Sequence, residues 1–573
     1  MAIAAETLEP RRRVRRFDAL SPLLAVVGLL LCGLILLPLG WLAWYSVTDD
    51  NGVPTLQNFT RLASDPTFAR PYLTALGIAA GVALCACGAA LPLAWLVART
   101  DMPWRRSIRS LVTASFVTPP FLGAIAWELL AAPNSGMLNQ WARALFGLGP
   151  YEHLFNIYSA GGVVFCIACY AYPLVFVLIA NALDNIPGDL EDASAILGAG
   201  RARTLFNVTL PMVLPALLAA ALLSFVQALT QFGTPAILAL PAGFHMITTK
   251  IWSLFQYPPH THLAAAASMP LLVLTIAMLR GQQVLLGRRG YTSIGGRSSA
   301  PRQVRLGPWR WPAFIFAIGL LSLPIFLPYA ALIKTALVKT PSDPLGFDTL
   351  SLRNLKFVFV DFSQTRQALW NTVLLGLLSA TAVTGLALIV SYATTRRLVV
   401  GHRILGFLAT APVAIPGIVL GVGLFLAYTR PPLVLYGTLW ILLLAFLTIE
   451  LPAGYQQLQA AFRGLHPELE EASRIFGANR LRSLWQITAP LLRTSVIATW
   501  CFVFIGVIRE LSATIMLTTA NTKVVSVIIY DLNESGDLGA ISVLGITLLL
   551  ITFAVVLVAN RLPVLGRTPP RLG

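Results

Sequence analysis

The sequence predicts an all-α polytopic membrane protein with about twelve transmembrane helices, arranged as two homologous halves of six helices each. Three observations lead to this fold class. Of the 573 residues, 57% are hydrophobic and only 11% are charged, and the mean hydropathy is +0.75, which excludes a soluble globular protein. Apolar runs long enough to cross a bilayer recur along the whole chain, and one charged stretch between them occurs twice.

The apolar runs define the predicted spans in chain order. The first run follows a group of arginines and is too long for a secretory signal, so it predicts an uncleaved first span. These arginines are Arg11, Arg12, Arg13, Arg15 and Arg16. The first half is predicted to cross the membrane at 20–47, 72–98, 108–131, 160–183, 213–240 and 263–287. The second half is predicted to cross it at 312–338, 367–394, 404–428, 433–458, 491–518 and 538–560.

The loops between the spans predict the domain organisation and the topology. A linker rich in Gly, Ser and Arg at 288–311 separates a first half at 1–287 from a second half at 312–573. Basic residues concentrate in alternate loops, so the positive-inside rule places both termini in the cytoplasm. Much of the net charge of +17 therefore reflects topology. No separate aqueous basic domain is present, so no nucleic-acid partner is expected.

The repeated stretch is LEDASAILGAGRARTLFNVTLP at 190–211 and LEEASRIFGANRLRSLWQITAP at 469–490. The two copies align without a gap at an offset of 279 and share 12 of 22 residues, which indicates an internal duplication. Each copy is a charged segment that lies between two apolar spans. Basic residues within both copies place them on the cytoplasmic side.

In each copy, residues typical of helix starts and helix ends predict a helix-turn-helix. Acidic residues fill the first turn of the first helix, as the positive end of a helix favours. Gly198 and Gly477 are predicted to end that helix. Gly200 and Asn479, which both tolerate a left-handed backbone, are predicted to redirect the chain into a second short helix.

The repeated stretch resembles the EAA loop of binding-protein-dependent ABC importer permeases. The shared pattern is an acid, two small residues, three others, Gly, nine others, an aliphatic residue, two others and Pro. The first copy, in the loop 184–212, carries it as Asp192, Ala193, Ser194, Gly198, Val208 and Pro211. The second copy, in the loop 463–490, carries it as Glu471, Ala472, Ser473, Gly477, Ile487 and Pro490. Both copies have Ser in place of the second Ala, which exchanges one small residue for another.

The resemblance implies a function for these loops and a set of partners. In this family the loop docks on a cytoplasmic ATPase, so two loops in one chain imply a fused permease with both halves of the pore. Glu191 and Glu470, next to the two motifs, are included in the predicted coupling set. The implied partners are an ABC ATPase, expected as a dimer, a periplasmic or other extracytoplasmic substrate-binding protein, and membrane lipid. The implied location is the bacterial inner membrane.

The cargo expected from the resemblance is ferric iron. Two segments suggest the ferric iron group of fused permeases: QFGTPAIL at 231–238 and RELSATIML at 509–517. Relatives in this group serve thiamine, 2-aminoethylphosphonate or putrescine, which therefore remain alternative cargoes.

Enzymatic motifs are absent from the sequence. There is no GxxxxGK[ST] phosphate loop, no GxSxG and no HExxH, so no catalytic residue and no cofactor in this chain are predicted. ATP and Mg²⁺ are expected on a separate ATPase subunit. An ion-coupled secondary transporter of twelve helices is the alternative of another class. The duplicated cytoplasmic loop favours the importer, because an ion-driven carrier needs no matched docking elements.

Polar residues inside apolar spans are candidates for the translocation path, because the bilayer makes them costly. They are Gln227, Gln231, Glu450, Arg509 and Glu510. A structural alternative is that Arg509 pairs with Glu450 or Glu510 and that the glutamines bond between helices. His245, His260 and His262 lie near the predicted outer side, but their spacing defines no metal site, so no metal ligand is assigned.

Overall fold

A computed structural model describes residues 20–287, 303–343 and 346–565. The predicted arginine-rich N-terminus, most of the predicted linker (288–302) and the last residues of the chain lie outside this described part. Within it, the chain forms helices and no strand, with three isolated bridges between extended residues. The predicted all-α class is confirmed.

The described part of the first half, residues 20–287, contains thirteen α-helices. They are α1 Leu20–Ser46, α2 Gln57–Ser64, α3 Pro66–Arg99, α4 Arg105–Ala114, α5 Pro120–Ala131, α6 Met137–Phe146, α7 Ala160–Asp184, α8 Gly188–Ile196, α9 Arg201–Thr204, α10 Leu210–Thr230, α11 Gly233–Leu238, α12 Ile247–Ser253 and α13 Thr261–Gly287. A 3₁₀ turn at Ser115–Val117 follows α4, and a π-helical turn at Leu205–Thr209 joins α9 to α10.

The described part of the second half repeats this order, except that none of its helices corresponds to α6. Its helices are α14 Arg310–Leu321, α15 Leu327–Leu337, α16 Arg353–Lys356, α17 Ser363–Thr395, α18 His402–Thr410, α19 Gly417–Tyr428, α20 Leu439–Arg463, α21 Glu468–Ile475, α22 Arg480–Ser483, α23 Ala489–Leu491, α24 Arg493–Arg509, α25 Thr514–Leu517, α26 Val525–Ser535 and α27 Leu538–Leu565. Its π-helical turns are Ser322–Phe326, Phe357–Asp361 and Leu484–Thr488, and its 3₁₀ turns are Gly307–Trp309 and Ala411–Ala414.

The number of spans agrees with the sequence prediction. Among the described residues, 9 helices are long and apolar enough to cross a membrane, and 12 spans result if each of 3 bent helix pairs counts once. The bends are 100° before Pro120, 108° before Gly417 and 74° between α23 and α24. Pro119 and Pro416 take extended backbone angles at the first two bends, as expected of proline.

Three predicted spans have different boundaries in the structure. The span predicted at 213–240 ends at Thr230, and the one predicted at 491–518 ends at Arg509, because the next residue in each is extended. The span predicted at 433–458 begins only at Leu439. Hydropathy alone missed these breaks, because the residues beyond each break are as apolar as a helix interior.

Helix packing relates the two halves. In the first half, α3 packs against α7 and α10, and in the second half the equivalent α17 packs against α20 and α24. The first helix of each half also crosses to the other half, since α1 contacts α18 and α19 while α15 contacts α5. The halves therefore interlock, and α10 and α24 bring the candidate pathway residues to the place where the halves meet.

Candidate functional site

Each repeated stretch forms a helix-turn-helix, as predicted. The turn between α8 and α9 contains Gly198 with φ +81°, and the turn between α21 and α22 contains Gly477 with φ +88°. These two glycines, rather than Gly200 and Asn479, are the left-handed residues of the turns. Asn479 instead caps α22, because its Oδ1 accepts a hydrogen bond from the backbone N–H of Arg482 at 2.8 Å.

Serine at the second-alanine position has a structural role in both copies. The hydroxyls of Ser194 and Thr204 lie 2.9 Å apart, and those of Ser473 and Ser483 lie 3.1 Å apart. Each pair links the first helix of the motif to the second, which an alanine side chain could not do. The departure from the family pattern therefore adds a hydrogen bond within each loop.

The tips of both loops expose large apolar side chains. Ile196 and Leu197 are 85% and 86% exposed, and the equivalent Ile475 and Phe476 are 84% and 91% exposed. The acidic and small residues of the two motifs that precede each tip are also exposed: Asp192, Ala193, Glu471 and Ala472. Prolines at the ends of the motifs, Pro211 and Pro490, lie in the first turn of the helix that follows each π-helical turn. Each loop thus presents an acid and an apolar tip on one surface.

Glu191 and Glu470 differ from the rest of the predicted coupling set, because both are buried. Nη1 of Arg99 lies 3.4 Å from Oε2 of Glu191, and Nη2 of Arg396 lies 3.0 Å from Oε1 of Glu470. Arg99 also donates to the carbonyls of Leu183 and Ile186 at 2.7 and 3.1 Å. These glutamates therefore fix the loop to its own half rather than form its outer surface.

Sequence reasoning did not single out Arg99 or Arg396 as partners of these glutamates. Both residues end the second long helix of their half, Arg99 as the last residue of α3 and Arg396 directly after α17. The sequence did contain an indication of this contact, because each arginine lies at the end of the second predicted span of its half. Only the folded chain shows that each arginine reaches the acid beside the motif.

The five candidate pathway residues line a single cavity of about 280 Å³ at the junction of the halves. They are Gln227, Gln231, Glu450, Arg509 and Glu510. Gln231 and Glu510 occupy equivalent positions in the repeat, and each has extended backbone directly after its helix. The structure thus brings together residues that lie far apart in sequence, and the charged ones all come from the second half.

Local hydrogen bonds hold the two equivalent break residues. Nε2 of Gln231 donates to the hydroxyl of Thr234 at 3.1 Å, and Oε1 of Glu510 accepts from the backbone N–H of Ala513 at 2.8 Å. The Oε1 atom of Gln227 is buried and has no hydrogen-bond partner among the described residues. An unmatched acceptor in this position is free for a ligand or for water.

Among the described residues, the Arg509 guanidinium makes no contact within 4.0 Å with the carboxylate of Glu450 or Glu510, although both acids interact with its charge electrostatically. Its carbon Cζ lies 4.1 Å from the centre of the Phe116 ring. Phe116 also stacks on Phe502, with ring centres 5.7 Å apart. Glu450 is 9% exposed and packs so closely on Gly506 that a Cβ there would lie 2.3 Å from its Oε1.

In the described part of the chain, no three or more His, Cys, Asp or Glu side chains are close enough together to hold a metal ion. Glu450 and Glu510, the acids of the cavity between the halves, therefore belong to no such group.

The structure has two interlocked helical halves, with a polar cavity between them and one matched exposed loop on each. These features are those of a membrane permease. The family model described as "binding-protein-dependent transport system inner membrane component" matches residues 90–290 and 384–563. The chain belongs to this family, and the two matched regions agree with the predicted duplication and fusion.

Known relatives include transport proteins with different cargoes in their names. The chain is 26% identical over 445 residues to the ferric transport system permease protein FbpB of Actinobacillus pleuropneumoniae, a match that covers 77% of this chain and 63% of that protein. It is 26% identical to the probable ABC transporter permease protein y4fN of Sinorhizobium fredii, over 80% of this chain and 82% of that protein. It is 31% identical to the molybdenum transport system permease protein ModB of Haemophilus influenzae, over 36% of this chain and 90% of that protein. The chain thus spans 63% of the length of its FbpB relative.

A solved structure of a bacterial ABC transporter involved in the import of the acidic polysaccharide alginate also matches. The match covers 47% of this chain and 96% of that chain, at 16% identity and a TM-score of 0.40.

Proposed function

We propose that this chain is the channel-forming subunit of an ATP-driven importer that carries ferric iron across the bacterial inner membrane, with both termini in the cytoplasm. The observation that carries the proposal is the pair of matched helix-turn-helix loops with exposed apolar tips, one in each half. A separate ATPase, expected as a dimer with ATP and Mg²⁺ bound, docks one subunit beneath each loop. A substrate-binding protein delivers the cargo on the other side.

Exposed apolar tips support the docking step. Leu197 and Phe476 would be costly to leave in water, and their burial in a groove of the ATPase would contribute roughly 1.5 to 3 kcal/mol each. Asp192 and Glu471 add a negative charge to the surface that precedes each tip. This combination suits a groove with an apolar floor and a basic rim.

Continuity of the helices supports the transmission of movement. In the first half, α9, the π-helical turn and α10 form one path from the loop to Gln227 and Gln231. In the second half, the equivalent path bends by 74° between α23 and α24 before it reaches Arg509 and Glu510. Closure of the ATPases on ATP would move both loops, separate α10 from α24 and open the cavity outward. Hydrolysis would then return the pore to the inward state.

The cargo is inferred from the carboxylates and amides of the cavity and from the names of the relatives. Oxygen ligands such as those of Glu450, Glu510 and Gln227 are the kind that hard cations prefer. Ferric transport is printed in the name of one relative and molybdenum transport in another. Thiamine, 2-aminoethylphosphonate and putrescine remain cargoes to be tested.

Uptake of labelled ferric ion by cells with and without this chain tests the proposal. Molybdate, thiamine, 2-aminoethylphosphonate and putrescine serve as unlabelled competitors, and a Walker-motif mutant of the ATPase serves as the energy control. We expect uptake to require both the chain and ATP hydrolysis and to resist all four competitors. Uptake that follows an ion gradient and ignores ATP would favour the secondary transporter instead, and unchanged uptake without the chain would reject iron as the cargo.

A further inference from the structure

A second cavity lies beside the first repeated loop, residues 184–212. It has a volume of about 690 Å³ and lies between the end of α3, the helix-turn-helix α8–α9 and residues 303–309. Residues 303–306 are held in place by main-chain bonds, because the N–H of Val304 donates to the carbonyl of Arg99 at 2.7 Å and the N–H of Asp101 donates to the carbonyl of Val304 at 3.2 Å. The segment that leads into the second half thus forms one wall of a site on the first half.

The lining of this cavity changes from polar to apolar. The polar part includes Arg99, Arg305, Gln303 and the carboxylate of Glu191, and Trp95 and Trp309 also line the cavity. A neighbouring cavity of about 250 Å³ shares Trp95, Leu205 and Thr209 with it and is otherwise lined by apolar side chains. A polar compartment beside an apolar one, with a tryptophan in the wall of both, is typical of a site for an amphiphile at the membrane surface.

Arg99, which lines the polar compartment, has one donor without a hydrogen-bond partner among the described residues. Its side chain is 1% exposed, and while its Nη atoms bind Glu191 and two carbonyls, its Nε is the unmatched donor. In the second half the equivalent Nε of Arg396 donates to Glu470 at 3.1 Å. The two Arg–Glu pairs, called clamps below, therefore differ at this atom. An anionic oxygen is the partner that a guanidinium N–H lacks here.

We propose that an anionic phospholipid of the cytoplasmic leaflet binds at this site, with its phosphate in the polar compartment and one acyl chain in the apolar one. The phosphate accepts from Arg99 and is attracted by Arg305, while the acyl chain packs along α10 below Phe206, which is 63% exposed. Because Ala195, Ala199 and Gly200 of the first loop also line the cavity, the bound lipid would brace that loop. The site lies on the first half, and residues 303–309, which lead into the second half, form one of its walls.

Native mass spectrometry of the full chain tests this proposal without any transport measurement. The protein is equilibrated with equal amounts of phosphatidylglycerol and phosphatidylcholine that have the same acyl chains. We expect one phosphatidylglycerol to be retained preferentially. Arg305→Gln, which leaves the ion-pair clamp intact, should lower its occupancy about fivefold. Arg99→Lys, which keeps a positive charge beside Glu191 but removes Nε, should lower it about tenfold.

The equivalent variant of the other half is the matched control. Arg396→Lys alters the same kind of clamp away from the cavity, so it should retain phosphatidylglycerol as the wild type does. Equal retention of both lipids by the wild type, or equal loss in Arg396→Lys and Arg99→Lys, would overturn the proposal. Displacement of phosphatidylglycerol by millimolar inorganic phosphate would also overturn it, since it would identify a site for free phosphate.

Discussion

Arg99 and Glu191 join the end of α3 to α8, the first helix of the repeated stretch, with Nη1 and Oε2 3.4 Å apart. Arg396 and Glu470 repeat the contact in the second half at 3.0 Å. A threonine hydroxyl from the following π-helical turn donates to each glutamate, Thr209 at 2.8 Å and Thr488 at 3.3 Å. The loop that would meet the ATPase is therefore tied to a long helix of its own half in both copies.

Replacement of one partner of a buried Arg–Glu pair should destabilise the chain more than replacement of both. Arg396→Met leaves the Glu470 carboxylate buried without a counter-charge, which costs about 3–5 kcal/mol. In Arg396→Met/Glu470→Leu the isolated charge is gone, so we expect much of this loss to be recovered. The free energy of unfolding in mixed detergent micelles measures both effects.

The control for the clamp variants is Arg463→Met, since Arg463 is exposed on α20 and bonds only to Gln459 among the described residues. It should change the free energy of unfolding by less than about 1 kcal/mol. A double variant that is as unstable as the sum of its single variants would show that the pair is not coupled.

The two left-handed glycines should be required for transport but not for insertion. A Cβ at Gly198 or Gly477 would meet no atom within 4 Å, so the cost of substitution is backbone strain at φ +81° and +88°. That strain is about 1–2 kcal/mol at each site, enough to change the shape of an exposed turn. Gly198→Val/Gly477→Val should reach the membrane in normal amounts and lose substrate-stimulated ATP hydrolysis and uptake.

Gly200→Ala is the matched control for this prediction. Gly200 lies in the same turn, has equally open surroundings and is not left-handed. It should transport like the wild type, as the asparagine at the equivalent position of the second copy suggests. Normal uptake by the double valine variant would remove the turn geometry from the coupling mechanism.

The exposed loop tips should determine the affinity for the ATPase. Leu197→Asp and Phe476→Asp place a charge where apolar burial is expected, and each should weaken binding roughly 10- to 100-fold. Both side chains are exposed, so the fold of the free chain should be unchanged. Binding of the purified ATPase to the chain in nanodiscs, measured by interferometry, gives the affinity.

Val400→Asp provides the comparison for the tip variants. Val400 is fully exposed between α17 and α18 and belongs to neither repeated loop. We expect it to bind the ATPase as the wild type does. If it weakens binding as much as the tip variants do, the docking surface extends beyond the two loops.

The fold was largely predictable because membrane spans can be recognised from long apolar runs, and their orientation from the basic residues of alternate loops. The repeat indicated two homologous halves, and Pro119 and Pro416 lie at two of the three bends that the structure shows. The span predicted at 213–240 runs past the break at Gln231. Apolar character persists through α11, so hydropathy carries no information on where the helix ends.

The contacts of the site were less predictable than its residues. Polar character inside apolar spans selected the five residues that line the central cavity. It could not show that Arg509 lies over the ring of Phe116, because that depends on how α24 faces the other half. It also could not separate Glu191 from Asp192, since only the helix orientation decides which neighbour is buried.

The contact of Phe116 with α24 should hold the halves together in the resting state. Phe116 belongs to the first half, and both of its partners, Phe502 and Arg509, belong to the second. Movement of α24 away from the 3₁₀ turn that carries Phe116 would break these contacts, of which the cation–π part is worth about 0.5–2 kcal/mol. Phe116→Ala should therefore shift the equilibrium toward the open state roughly 2- to 30-fold and raise ATP hydrolysis in the absence of binding protein.

A phenylalanine whose ring contact lies within its own half is the control for this last variant. Phe165 is half-buried like Phe116, and its ring lies 4.6 Å from that of Trp127 in the first half. Phe165→Ala loses a similar amount of packing without releasing the junction, so basal ATP hydrolysis should stay at the wild-type rate. The two rates, measured side by side in nanodiscs, separate release of the junction from general loosening. An equal rise in both variants would mean that the Phe116 contact does not hold the junction closed.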